Sequence, residues 1–167
     1  MTVIPLLVDV GTALEEATGI VQYALVFLFA AIPVVEILVV VPVAVGLGLN
    51  PITTAVVAFA GNVGSVYALI LSYRRLLEWW NDRRDEPFEE SRSDRYARAR
   101  RLWDRYGLPG VSLAGPVMAG VHVAALVALL AGSRGRLVAG WMTAGIAVWT
   151  VVLTGASVAG FSALGIV

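Results

Sequence analysis

Long apolar stretches, separated by short polar or glycine-rich segments, make up most of this chain. After a mixed segment over residues 1–18, an apolar stretch runs from Thr18 to Gly48 and is interrupted at Pro33. Each of its two pieces holds about 14 residues, fewer than the roughly 20 that a helix needs to cross a bilayer. The pattern predicts a re-entrant helical hairpin, which enters and leaves the membrane on one side; a single kinked crossing is the alternative.

A tight turn and a full-length span follow this interrupted stretch. The turn over residues 46–51 contains Asn50, which suits a helix N-cap, and Pro51, which suits the first helical position. A continuous helix is then predicted over residues 52–84. Its apolar part ends near Tyr73 and is long enough to cross the membrane.

The second half of the chain shows the same order of segments. Residues 107–132 carry no Asp, Glu, Lys or Arg and are interrupted at Gly115 and Pro116, and an uninterrupted apolar segment follows over 137–160. This order predicts a second hairpin and a second full span. The chain is then one membrane domain over residues 1–167 with two repeats, which cover residues 19–73 and 106–160.

Pairs of prolines and glycines at nearly the same offset support this internal repeat. Pro33 matches Pro116 at an offset of 83 residues, and Gly48 matches Gly132 and Gly61 matches Gly145 at an offset of 84. Each repeat therefore contains an interrupted apolar segment, a glycine turn and a full span with small residues.

The arginines predict how the repeats are oriented. All 12 arginines lie within residues 74–105 or at positions 134 and 136, and short arginine-rich loops stay on the cytoplasmic side of a membrane. Both loops, 74–105 and 133–136, are cytoplasmic only if residues 107–132 enter the membrane and return. We therefore expect a multi-pass cell-membrane protein with both termini outside and two repeats of opposite orientation, an arrangement found in transporters.

The connector between the repeats, residues 74–105, is polar and holds 10 arginines and 8 acidic residues. After Ser93, aromatic and small residues recur at helical spacing, at Tyr96, Ala99, Trp103 and Tyr106. This spacing predicts an amphipathic helix on the cytoplasmic membrane surface. A solvated connector without any binding role is the alternative.

Composition places the chain among integral membrane proteins and excludes several kinds of site. It is 59% hydrophobic and 14% charged, with a mean hydropathy of +0.83, whereas about a quarter of the residues in a typical globular domain are charged. The absence of cysteine excludes thiolate sites, and a single histidine excludes a multi-histidine metal centre. The net charge of zero gives no basic face for nucleic acid. We expect no metal, no cofactor and no enzymatic activity.

Glu36 is the strongest candidate for a functional residue. It is the only charged side chain from Ala17 to Tyr73, and it lies between Pro33 and Pro42, two predicted helix breaks. An intramembrane carboxylate is costly and marks an ion or substrate pathway, so we expect a proton or cation site. The alternative is a capping role at the start of the half-helix after Pro33.

Two further polar residues lie in apolar segments. His122 follows the predicted break at Gly115 and Pro116, and it either contacts substrate or a proton, or serves as a structural hydrogen-bond donor. Asn62 lies within the first span, where an interhelical hydrogen bond is its expected role and substrate contact the alternative.

Several motifs resemble those of the small multi-drug export protein family. They are Ile32-Pro-x-x-Glu36 followed by Pro42, Gly48-Leu-Asn-Pro51, Gly61-Asn62, Arg105-Tyr-Gly-Leu-Pro-Gly110, Gly115-Pro-x-x-x-Gly-x-His122 and Trp141-Met-Thr. The resemblance covers nearly all of residues 30–155, and that family in turn resembles the DedA-like membrane proteins, which have opposed re-entrant segments and include lipid flippases and scramblases. The resemblance implies a membrane transporter.

The chain also departs from these families in its arginines. No arginine follows Glu36 closely, and none lies in the second hairpin between Ser112 and Gly132. Because arginine's forked donors bind phosphate well, their absence favours a cation over a phosphate headgroup.

The sequence thus predicts a small membrane transporter of small molecules that alternates access at a site between its two hairpins, with Glu36 as the proton or cation acceptor. The alternatives are a DedA-like lipid flippase or scramblase, and a membrane scaffold that binds a partner through residues 74–105. Because two full spans are few to enclose a path, we expect a homodimer.

Overall fold

The structure is a computed structural model that describes residues 3–33, 35–81 and 94–165. All regular secondary structure within these residues is helical, which confirms the predicted class. The helices are α1 (Val3–Glu16), α2 (Ile20–Ala31), α3 (Glu36–Gly46), α4 (Pro51–Asn81), α5 (Asp94–Met118), α6 (Val121–Leu130) and α7 (Gly135–Ala163).

The chain divides into two compact units. The first unit comprises Met1–Ser65 with Ile146–Val167, and the second comprises Val66–Gly145. The first unit therefore holds α1, α2 and α3, the second holds α5 and α6, and each also holds a part of α4 and a part of α7. These units differ from the predicted repeats because both long helices are shared between the units. The single membrane domain over residues 1–167 stays a prediction.

In the first unit, α2 and α3 form a pair that we call the first hairpin. These two arms, of 12 and 11 residues, pack against each other, and α1 packs against both. Leu14 of α1 is fully buried, and its carbonyl accepts a hydrogen bond from the Gln22 side chain at 3.0 Å. At 1.5 Å of rise per residue each arm is about 17 Å long, roughly half the thickness of a bilayer's hydrocarbon core.

In the second unit, residues 108–118 of α5 and all of α6 form the second hairpin. Helix α5 kinks at Gly107, which has φ 61° and ψ −156°, and the part after the kink packs along α6. A Cβ atom added at Gly115 would lie 2.6 Å from the Cβ of Ala124. Residues nine apart in one continuous helix are about 13 Å apart, so the chain reverses its direction between these two residues.

The break in the second hairpin lies at Ala119 and Gly120, and not at Gly115 and Pro116 as predicted. Helix α5 continues through Pro116 to Met118. The carbonyl of Gly115 accepts hydrogen bonds from the N–H groups of Ala119 at 2.8 Å and Gly120 at 2.9 Å, which close the end of the helix. Proline removes one helical hydrogen bond, but the reversal needs a positive φ, which Gly120 supplies at 92°.

Pro42 is also not a helix break. It lies inside α3, which continues to Gly46. Neighbouring helices stabilise an isolated proline in a packed membrane helix, where it bends the backbone without ending it. Pro33, in contrast, lies in the connection between α2 and α3.

Both hairpins start and end with the same backbone conformations. Gly19 before the first hairpin and Gly107 before the second have φ values of 59° and 61°. After the second arms, Gly48 and Gly132 have φ values of 83° and 88°. Their N–H groups donate to carbonyls three residues earlier at 3.0 and 2.9 Å, and the next N–H in each case donates to a carbonyl five residues earlier at 3.1 Å. Both turns are Schellman motifs, which satisfy the last carbonyls of a helix.

Each long helix approaches a hairpin closely at one glycine. A Cβ atom at Gly61 of α4 would meet the backbone carbonyl oxygen of Phe27, and one at Gly145 of α7 would meet that of Ser112. Both overlaps are impossible for a real side chain, so only glycine permits these contacts. The two glycines matched in the sequence therefore have the same role, one in each unit.

Among the described residues, two helices are long and apolar enough to cross a membrane: Pro51–Tyr73 within α4 and Gly135–Ala163, each with a mean hydropathy of 1.8. Large apolar side chains on them are exposed, among them Ile52 at 75%, Leu71 at 81% and Val151 at 73%. Exposed apolar surface on long helices is what lipid contact requires. Asn50 caps α4 as predicted, since its side-chain oxygen accepts a hydrogen bond from the N–H of Thr53 at 3.0 Å.

The predicted amphipathic helix forms the part of α5 before Gly107. Arg100 and Asp104, four residues apart, form an ion pair at 3.3 Å, and the Arg105 guanidinium lies 5.2 Å from the centre of the Tyr106 ring. Trp103 packs against the hydrophobic cluster of the second hairpin. Through this contact the helix packs against the second unit, to which it belongs. Residues 82–93 of the connector lie outside the described residues.

Candidate functional site

The candidate site starts at the tip of the first hairpin, where the sequence interrupts the helix. Residues before a proline avoid the helical conformation, and Ile32, just before Pro33, is extended with φ −76° and ψ 125°. The N–H of Glu36 donates to the carbonyl of Ile32 at 3.3 Å and closes the connection. Helix α3 then starts at Glu36, with Val35 at its N-cap and no side-chain hydrogen bond from that cap.

Glu36 has an unusual backbone conformation. Its φ of 48° makes it the one residue other than glycine with a positive φ in the described part of the chain. A residue with a side chain in this region is strained by about 1–3 kcal/mol. Gly120, at the tip of the second hairpin and 84 residues later in the sequence, also has a positive φ, of 92°, which glycine adopts without strain. The tip of the first hairpin thus has a glutamate in a conformation that would be less costly for glycine.

The Glu36 side chain is also buried, with 4% of its surface exposed. Its neighbours along α3 are apolar, and Ile37, Val40 and Val41 are all fully buried. The sequence of the first unit contains four acidic residues and no arginine, lysine or histidine. The charge of this unit therefore favours protons and cations over anions.

Asn62 lies on α4 in the same unit and is fully buried. Neither its amide nitrogen nor its amide oxygen has a hydrogen-bond partner in the described part of the protein. The interhelical hydrogen bond expected from the sequence is therefore not formed there. A buried donor or acceptor without a partner costs about 1–3 kcal/mol, so the unpaired amide needs another explanation.

Two threonines of the first unit also have a buried side-chain atom without a hydrogen-bond partner, and the sequence did not predict them. The hydroxyl oxygens of Thr54 on α4 and Thr154 on α7 are buried and have no hydrogen-bond partner among the described residues. Thr150, one turn before Thr154, differs from them because its hydroxyl donates to the carbonyl of Ile146 at 2.7 Å. No buried unpaired side-chain atom is found in the described residues of the second unit.

His122 belongs to the second unit and is the second residue of α6. It is 7% exposed, and Gly120 at the N-cap of α6 provides no side chain to cap the helix. Ser112, on the other arm of the same hairpin, is also buried, and its hydroxyl donates to the carbonyl of Pro109 at 2.9 Å. The structure thus places Glu36 and Asn62 in one unit and His122 in the other.

A family model provides the comparison with known proteins. The model described as "Putative small multi-drug export protein" matches residues 36–152, more than two thirds of the chain. The chain belongs to this family. No curated protein and no solved structure matches it.

Membership of this export family agrees with the two helices that are long and apolar enough to cross a membrane, and the protein is a membrane protein. The matched range begins at Glu36 and includes Asn62 and His122, so all three candidate polar residues lie in the part shared with the family. Thr154 lies beyond the matched range.

The positive φ of Glu36 had a signal in the sequence, whereas the unpaired hydroxyls of Thr54 and Thr154 had none. The offset of 84 that relates Gly48 to Gly132 also places Gly120 opposite Glu36 in the sequence, and both residues have a positive φ. Thr54 and Thr154 lie in spans where small polar residues are common, and only the tertiary structure shows that their hydroxyls lack partners.

Proposed function

We propose that this member of the export family is a small membrane transporter that moves small molecules and uses Glu36 as its proton or cation acceptor. The observation that carries the proposal is the strained and buried state of Glu36 at a position where its counterpart is glycine. Backbone strain and a carboxyl buried among apolar residues are both typical of functional positions, and their combination at Glu36 supports this role.

The electrostatics of the first unit support a cation or proton at this position. Its sequence has acidic residues and no basic residue, and no arginine follows Glu36 within the first hairpin. An anionic substrate group would meet repulsion from the carboxylate. A lipophilic cation, or a neutral molecule exported in exchange for a proton, meets no such repulsion.

The proposal is tested by flux in proteoliposomes with an imposed pH gradient. Ethidium and two other lipophilic cations serve as probes, and the wild type is compared with Glu36→Gln. Glutamine keeps the size and the backbone strain of the residue but cannot ionise, so we expect gradient-driven flux to fall to the background of empty vesicles. Glu16→Gln, the same change at an exposed residue of the same unit, is the matched control and should retain full flux.

Unchanged flux in the folded Glu36→Gln variant would remove this residue from the mechanism. The same vesicles, prepared with a fluorescent phospholipid, test the lipid flippase or scramblase alternative. Transbilayer movement of that lipid, together with no flux of the cations, would replace the exporter by a lipid transporter.

We also propose that the two hairpins are re-entrant and that the halves of the chain are an inverted repeat. Four equivalences support the repeat: the glycines before each hairpin, the positive φ at each tip, the Schellman turn after each hairpin, and the glycine contact of each span. Arms of about half the bilayer thickness and the clustering of arginines support the re-entrant arrangement.

A further inference from the structure

The unpaired polar atoms of the first unit are unusual in their location. The Asn62 amide and the hydroxyls of Thr54 and Thr154 are buried and without partners among the described residues, while most other buried residues of this unit are apolar. Buried polar groups in native proteins are paired with protein atoms, with ordered water or with a ligand. No described protein atom pairs with them, and water molecules have the size and the hydrogen-bonding groups to do so.

The positions of these groups on their helices show how they are distributed in depth. Asn50, at the N-terminus of α4, is exposed, and its carbonyl accepts the N–H of Thr54 at 2.9 Å. Thr54 is therefore about one turn from the exposed end of α4, and Asn62 lies about 12 Å deeper along the helix. A single bound ion cannot contact both of these residues, whereas a row of water molecules can.

Asn62, the deeper of the two residues on α4, lies close to the depth of the first hairpin's tip. Gly61, beside Asn62, lies against the carbonyl of Phe27, which is five residues before Ile32, the backbone partner of Glu36. Five helical residues correspond to about 7.5 Å, so Asn62 lies within about two turns of the depth of Glu36.

The part of α7 in this unit runs over the same depths. Its Phe161 ring lies against Gly46 at the end of α3. Counted from this contact, Thr154 is about 10 Å along α7, and Glu36 is about 15 Å along α3. Thr154 therefore lies at a depth between the end of the first hairpin and its tip.

We propose that Thr54, Asn62 and Thr154 line a hydrated track through the first unit, in which water molecules pair with their unpaired atoms. The hydroxyls and the amide both donate and accept hydrogen bonds, as a row of water molecules requires, and none of them carries a charge. In the transporter proposed above, and resting on that proposal, the track connects Glu36 to one side of the membrane and supplies its protons.

The track is tested by the reaction of single cysteines with a small charged methanethiosulfonate added to proteoliposomes. The protein has no native cysteine, so Thr54→Cys and Thr154→Cys report without background. Ala128→Cys is the control, since Ala128 is fully buried in the second unit, where no unpaired buried polar atom is found among the described residues. Because only the thiolate reacts and a dry apolar site suppresses its formation, we expect the threonine positions to react at least about tenfold faster than the control.

Equal and slow reaction at all three positions would show a dry interior and overturn the track. The functional role is tested separately with Thr154→Val and Thr150→Val, two equal changes one turn apart. Of these two residues, only Thr154 has an unpaired hydroxyl. Proton uptake should therefore slow severalfold in Thr154→Val and stay unchanged in Thr150→Val.

These results separate the two proposals. Fast cysteine reaction combined with unchanged flux in Glu36→Gln supports the track and refutes the role of Glu36. Slow cysteine reaction combined with lost flux in Glu36→Gln refutes the track and leaves the role of Glu36 intact. Equal proton uptake in the two threonine variants refutes the supply of protons through Thr154.

Discussion

At the scale of single residues, Glu36 combines two unfavourable properties that the sequence shows only in part. Its isolation among apolar residues is visible in the sequence, and it predicts a buried carboxyl. Its positive φ occurs at the hairpin tip, where the chain reverses, and Gly120 at the tip of the second hairpin also has a positive φ. Strain of this kind persists only when the surrounding structure imposes it, and it supports the role proposed for Glu36.

This strain leads to a prediction on stability. Glu36→Gly should raise the free energy of unfolding by about 1 kcal/mol relative to Glu36→Ala, since glycine adopts the positive φ freely while alanine retains the strain. Thermal unfolding in detergent measures the difference. Position 44 is the control, since it is a buried helical position of α3 that already has alanine; there Ala44→Gly should be less stable than the wild type by a similar amount. Equal stability of the two variants at position 36 would mean that the tip relaxes and that Glu36 is not strained.

At the scale of helices, the sequence predicts the long elements better than the breaks within short ones. The span from Pro51, its Asn50 cap and the glycine turns follow from local chemistry and are found in the structure. The break assigned to Gly115 and Pro116 is wrong by four residues, because a proline in a packed helix bends it while the reversal itself needs a positive φ.

Packing of the long helices on the hairpins gives a prediction for glycine substitutions. Gly61→Ala and Gly145→Ala should each destabilise the protein by about 1–3 kcal/mol, because the added methyl group overlaps a backbone carbonyl that cannot move aside as a side chain can. Thermal unfolding in detergent is the measurement.

Matched controls lie on the same two helices. Gly64 on α4 and Gly140 on α7 have open space around the position of an added Cβ atom. Alanine at these positions should be neutral or stabilise by up to about 1 kcal/mol, because it favours the helix. Destabilisation of the same size at all four glycines would contradict the specific role of Gly61 and Gly145.

At the scale of the whole molecule, the position of its loops relative to the membrane separates a re-entrant arrangement from two additional crossings. If residues 107–132 enter the membrane and return, the connector and the loop at Ser133 lie on the same side. If these residues cross, the two loops lie on opposite sides.

Single cysteines at Arg101 and Ser133 test this arrangement in intact cells. We expect both to resist a membrane-impermeant maleimide and to react with it only after the cells are opened, since both loops are predicted to be cytoplasmic. For each variant, labelling after the cells are opened is the control, because it shows that the cysteine can react with the maleimide. Reaction of Ser133→Cys in intact cells, with Arg101→Cys still protected, would contradict the re-entrant arrangement.

The sequence by itself determined the class of the protein, its two long spans, the first hairpin's break and the isolated carboxyl, because each depends on local composition or on one proline. The sequence also contains the motifs of the small multi-drug export protein family. Only the tertiary structure decided where the second hairpin reverses, that Glu36 has a positive φ, and that Asn62, Thr54 and Thr154 lack partners. The physical reason is that hydropathy and helix breaking act within a few residues, whereas backbone strain and unpaired polar atoms depend on which helices pack together.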